Sequence, residues 1–125
     1  MKLLTCLALL LPGRTPVPVE PAPISIPLLI HALKVVEDSH GKVGKHGETG
    51  DLQWKRATLE QFKGDEYAYV SWLMRACKTM NRKPTPYLCA LVHNAGYGTV
   101  MAGKQSALQK DFASRVEATY YDQEP

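Results

Sequence analysis

The chain contains no cysteine and histidine spacing that would build a zinc site, so neither a structural nor a catalytic zinc is expected, and no other cofactor is called for. It also lacks any run of lysine or arginine interleaved with aromatics. Lys42, Lys45 and the Arg82-Lys83 pair are short and separated, and with a net charge of only +3 they read as solvated surface rather than a nucleic-acid interface. No apolar run is long enough to cross a bilayer as a helix, since residues 3–11 form a stretch of signal-peptide length. β-Branched residues never alternate over any distance, which excludes an extended sheet and leaves room only for two-residue strands in a loop. There is no internal repeat.

What is present describes one modest domain. The 125 residues are 45% hydrophobic and 22% charged, a balance that suits a soluble globular fold rather than a disordered chain. The mild positive charge suits an anionic polymer such as a bacterial cell wall. Residues 1–24 read as an apolar leader followed by a proline-rich linker. Met1-Lys2 gives a positive start, Leu3 to Leu11 an apolar core, and Pro12-Gly13 a break, so export is expected. Six prolines fall between positions 12 and 27, which favours an extended spacer. Leu3-Leu4-Thr5-Cys6 is a poor lipoprotein match, because almost no leader would be removed. Cys77 and Cys89 are open to two readings, a disulfide in an exported protein or buried free thiols.

The remainder, residues 25–122, predicts a mainly helical domain. Ser25 can cap a first helix that Pro27 helps to start, with Leu29, Leu33, Val36 and Glu37 on one face. Residues 40–50 hold four glycines and predict a loop with tight turns. A short helix is expected over 58–62. A longer one over 65–80 has Tyr69, Val70, Leu73, Ala76, Cys77 and Met80 inward. Thr85 caps the next helix and Pro86 starts it, with Leu88, Leu91 and Val92 inward and Gly96 and Gly98 ending it. The last helix lies within 106–121, with Leu108, Phe112, Val116 and Tyr120 inward.

One acid stands out in this pattern. Glu37 continues the core-facing stripe at the end of its helix, while Asp38 lies about 100° round and cannot share that face. A carboxyl beside Leu33 and Ile30, facing a glycine-rich loop, meets the requirement for a general acid, because desolvation disfavours its charged form. Gly47 and Gly50 lack a Cβ and so would let the loop approach a ligand closely. Gln53 offers one acceptor and two donors, suited to an N-acetyl amide or hydroxyls. Taken singly, each has a plainer reading: a helix-end acid at Glu37, a surface turn over 47–53, and a helix stop at His93-Asn94-Ala95-Gly96.

Taken in order, these segments resemble the soluble lytic transglycosylases and goose-type lysozymes of the lysozyme-like superfamily. That family has a helix ending in the catalytic Glu, often followed by Ser. It then has a Gly-x-x-Gly-x-x-Gln turn, an Ala-Tyr-Asn-Ala-Gly stretch and a closing helix with an aromatic-Val-x-x-Val pattern. Here Glu37 matches the acid, Gly47, Gly50 and Gln53 the turn, and Asn94, Ala95 and Gly96 the third motif. Gly98 and Val100 match the residues that follow it, and Phe112-Ala113-Ser114-Arg115-Val116 resembles the closing helix. The chain departs from the pattern with Asp38 after the acid, His93 in place of a Tyr, and Phe112 in place of a Tyr whose hydroxyl could hold the acid. For His93, a hydrogen bond to the sugar, one to the acid, and simple packing are all open.

The resemblance implies a mainly α, lysozyme-like α+β fold: a small helical domain with a glycine-rich loop or minimal β-hairpin beside the catalytic helix. It implies cleavage of the β-1,4 bond between N-acetylmuramic acid and N-acetylglucosamine, with Glu37 as acid and base. Gln53, His93, Asn94, Gly47, Gly50 and Thr49 are then candidate substrate-binding residues. In the transglycosylase version no second carboxylate is required. In a hydrolytic version Glu48 or Asp51 would activate water. A non-catalytic lysozyme-like module that binds wall glycan or helps an apparatus assemble, and an unrelated exported helical interaction protein, are the further alternatives. The expected partner is peptidoglycan, with no nucleic acid, no stable membrane span and a monomeric state.

Overall fold

A computed structural model describes residues 23–38 and 43–123. The expected leader, most of the proline-rich stretch, Cys6 and Ser39 lie outside the described residues. Six helices occur among the described residues: α1 (Ile26–Glu37), α2 (Arg56–Phe62), α3 (Glu66–Thr79), α4 (Pro86–Ala95), α5 (Tyr97–Met101) and α6 (Ala107–Asp122). None is long and apolar enough to cross a membrane.

Local chemistry sets the helix starts. Ser25, Asp65, Thr85 and Ser106 each accept a backbone N–H from the first turn of the helix that follows, which satisfies a donor the helix itself leaves open. Ser106 and Gln109 complete a reciprocal capping box. Pro86 opens α4, where the missing N–H leaves no helical bond unmade. Gly96, at φ 91°, ends α4, but Gly98 does not end a helix: it lies inside the short α5.

α4 is the central element. Pro86, Leu88, Cys89, Ala90, Leu91 and Val92 are all buried, so α4 is apolar nearly all round, as a helix covered on several sides must be. It packs against α3 and α6, and α1 packs across α3 and α6. Leu29 and Leu33 of α1, Leu73 of α3, Leu91 of α4 and Val116 of α6 form the fully buried centre. The Ser25 N–H donates to the Tyr120 hydroxyl at 2.8 Å, joining the start of α1 to the end of α6. Leu108 departs from the expected stripe and is 82% exposed. The buried face of α6 is Phe112, Ala113, Val116 and Tyr120, and its centre lies about a quarter-turn from Leu108 at ~100° per residue, so the inward expectation for Leu108 is not met.

Cys77 and Cys89 are both free and buried, with their sulfurs 3.8 Å apart between α3 and α4. No named strand occurs among the described residues. The 43–55 loop contains one antiparallel bridge, Thr49 with Trp54, made by two backbone hydrogen bonds of 2.9 Å.

Candidate functional site

Three helices converge on Glu37. The residue ends α1, one turn after the buried Leu33, and its side chain is 16% exposed. From α4, His93 Nε2 lies 2.8 Å from Glu37 Oε2. From α3, the Tyr69 hydroxyl lies 2.5 Å from His93 Nδ1. Phe112 of α6 packs beside the His93 ring with centroids 5.9 Å apart. The His93 side chain is only 4% exposed, and both of its nitrogens are engaged. This decides among the readings open for His93: it bonds the acid. It also accounts for Phe112, because the polar partner of Glu37 comes from α4, leaving the α6 position free to be an apolar backing for the imidazole.

Burial pushes the Tyr69 hydroxyl well above its ordinary value, and the nearby Glu37 carboxylate pushes it the same way. Tyr69 therefore keeps its proton at neutral pH. Its ring belongs to an aromatic cluster, 4.9 Å from Trp54, 5.2 Å from Phe62 and 6.1 Å from Trp72 between centroids.

An open cleft of about 290 Å³ runs past this group. Glu37, Glu48, Gln53, His93 and Asn94 all line it, so residues far apart in sequence meet in one groove. Trp54, Phe62, Trp72 and Tyr97 add aromatic surface, while Lys55, Thr58 and Gln61 add polar groups. Trp54 Nε1 is buried and has no hydrogen-bond acceptor among the described residues.

The glycine turn is arranged differently from its sequence-based expectation. Thr49, Gly50 and Asp51 line a separate pocket of about 130 Å³, and Gly47 lines neither. A Cβ on Gly47 or Gly50 would meet nothing within 4 Å, but their φ values are 82° and 79°. Left-handed backbone is what calls for glycine at both positions. The close approach is at Gly44, where a Cβ would collide with Gln53 Oε1 and Glu48 Oε1. Gln53 adopts φ 52° and its side-chain amide donates to Gly50 O at 2.9 Å, so it stabilises the turn while lining the cleft. Glu48 Oε1 accepts the His46 N–H at 2.9 Å, and this backbone bond holds its carboxyl below the usual range. Asp51 is outside the cleft and has no place there as a water-activating base.

Sequence reasoning placed Tyr69 in the core by its helical spacing and gave it no role at the site. The signal was available only as an aromatic with a polar tip, which when buried generally finds a partner. Among the described residues no group of three or more metal-ligating side chains occurs. No protein-family model, curated protein or solved structure matches this chain.

Proposed function

We propose that this protein is an exported, lysozyme-like lytic transglycosylase acting on peptidoglycan, with Glu37 as general acid and then base. The observation that carries the reading is that Glu37, Gln53 and the His93-Asn94 pair line one cleft, although 56 residues separate Glu37 from His93.

Protonated Glu37 donates to the oxygen bridging N-acetylmuramic acid and N-acetylglucosamine, and the C1–O bond breaks with its electron pair going to that oxygen. The substrate's own 2-acetamido carbonyl bonds to C1 and carries the positive charge. The 6-hydroxyl then attacks C1, the acetamido oxygen leaves, and the O6 proton returns to Glu37. The product is a 1,6-anhydro muramyl end, and no water is consumed. Asn94 and Gln53 supply amide donors and acceptors for the sugar's N-acetyl and hydroxyl groups.

A hydrolytic muramidase is the second reading, favoured by one observation: Glu48 lines the same cleft. Digesting peptidoglycan with the purified protein and weighing the fragments separates the two, because an anhydro end is one water lighter than a reducing end. Anhydro fragments are expected. Exclusively reducing ends would move the assignment to the hydrolase. Binding of glycan with no product, unchanged by loss of Glu37, would leave a non-catalytic module.

A further inference from the structure

The hydrogen bonds at Glu37 have a direction, and the direction matters for an acid. Glu37 Oε2 and Tyr69 Oη bracket the His93 ring, one on each nitrogen. A neutral imidazole has one N–H and one lone pair, so only two arrangements satisfy both contacts. In the first, Tyr69 O–H donates to Nδ1 and Nε2–H donates to Glu37 Oε2. In the second, Nδ1–H donates to the Tyr69 oxygen and Nε2 accepts a proton carried by Glu37.

The second arrangement holds the Glu37 proton inside the protein, against His93, where a substrate oxygen cannot take it. It also leaves the Tyr69 O–H without an acceptor among the described residues, in a site where an unmade bond costs more than in water. The first arrangement satisfies all three groups. Oε2 is then an acceptor throughout, and Oε1, which no described residue hydrogen-bonds, carries the exchangeable proton. The same Nε2–H serves the neutral carboxyl and the carboxylate that follows proton transfer, so no ring flip or tautomer change is needed between the two steps.

We propose that Tyr69 is a positioning residue for the reaction described above: its hydroxyl donates to His93 Nδ1, holds the ring as the Nε2–H tautomer, and thereby assigns Oε1 of Glu37 as the reacting oxygen. The role in catalysis rests on the proposed function, while the tautomer itself does not. Three helices each contribute one member, Glu37 from α1, Tyr69 from α3 and His93 from α4, so the packing of α3 on α4 is coupled to the protonation geometry of a residue on α1. Phe112 supplies only an apolar ring and offers no competing partner.

The test is the imidazole nitrogen spectrum of the full-length protein labelled with ¹⁵N, with the His93 signals assigned by their loss in His93→Gln. Nitrogen shifts separate the Nε2–H tautomer, the Nδ1–H tautomer and the cation without reference to activity. The native protein at neutral pH should show Nε2–H, and Tyr69→Phe, which keeps the ring, should show a mixture of tautomers. Nδ1–H or the cation in the native protein overturns the proposal, even if Tyr69→Phe fails to fold.

Kinetics supply the second measurement. Tyr69→Phe should lower kcat about tenfold, the effect of one lost hydrogen bond, with KM little changed. It should have no further effect in the His93→Gln background, because Tyr69 acts through His93. Independent, additive losses in the double variant would reduce Tyr69 to packing and overturn the positioning role. A protein that shows the Nε2–H tautomer but releases no glycan product would retain the hydrogen-bond assignment and lose the proposed function instead. Product release by a protein with the Nδ1–H tautomer would do the reverse.

Discussion

The two walls of the cleft are built in opposite ways. The helical wall holds Glu37 through a buried chain of side chains, Tyr69 to His93 to Glu37, backed by Phe112 and by the fully buried Leu33. The loop wall, residues 43–55, has a single bridge, left-handed backbone at Gly47, Gly50 and Gln53, and side chains largely occupied in holding their own turn. Its anchors in the core are Leu52 and Trp54, which are 2% and 5% exposed. The difference teaches where accuracy is required. On the proposed function the two walls have different tasks: a group that delivers a proton needs packed helices to hold it in place, whereas a wall that receives a long polymer needs only an approximate surface.

The largest break in this comparison is Glu37→Gln. The amide keeps the shape and can still accept from His93 Nε2–H, so the helical wall survives while the acid is gone. Wall-degrading activity should fall at least about 100-fold, the lower range for general acid–base catalysis. The variant's fold is checked by its unfolding midpoint. A folded Gln variant with near-normal turnover would remove Glu37 from the mechanism.

A matched pair of substitutions then compares the walls as structures. Leu33→Ala deletes a side chain with no exposure, one turn from Glu37, and should lower stability by about 2–5 kcal/mol. Gly50→Ala meets no atoms but must adopt φ 79°, and should lower it by about 1–2 kcal/mol. Urea titrations of both variants measure the ratio. Equal losses would show that the loop is as integral to folding as the helical core, and the contrast drawn above would fail.

Much of this architecture was legible in the sequence because helix signals are local. Ser25, Thr85 and Pro86 mark helix starts by their own chemistry, and the stripe Tyr69, Val70, Leu73, Ala76, Cys77 follows from a period of 3.6. Leu108 shows the limit: its i, i+4 spacing from Phe112 predicts an inward residue, but the face that is buried, Phe112, Ala113, Val116 and Tyr120, is centred about a quarter-turn away. The same limit applies at the site. Spacing put Tyr69 inward, but only three-dimensional packing aims its hydroxyl at a histidine on another helix. Gly44 was missed for a related reason. Its two neighbours, Gln53 and Glu48, are brought close by a turn whose shape depends on left-handed residues, and no pattern in the chain announces that approach.

The smallest expected effect is at Glu48, and it sharpens the comparison by asking whether the loop wall contributes chemistry at all. Glu48 is the loop's one carboxylate in the cleft, so a hydrolytic mechanism would need it as the base that activates water. Its Oε1 already accepts the His46 N–H, an interaction that holds the carboxyl below its ordinary range and keeps it ionised. Since the folded pKa is depressed, this bond contributes to stability above the unfolded value, and the contribution is lost as pH falls through the folded one. A depressed carboxylate is also a weak base, poorly matched to abstracting a proton near neutrality. Glu48→Gln keeps an oxygen for the His46 N–H and removes only the charge. Turnover of peptidoglycan should stay within about twofold of the native rate, well short of the factor that removing a general base produces, and the fragments should keep their anhydro ends. A loss of two orders of magnitude in Glu48→Gln, with reducing-end fragments from the native protein, would instead place a working base on the loop and make the two walls chemical equals.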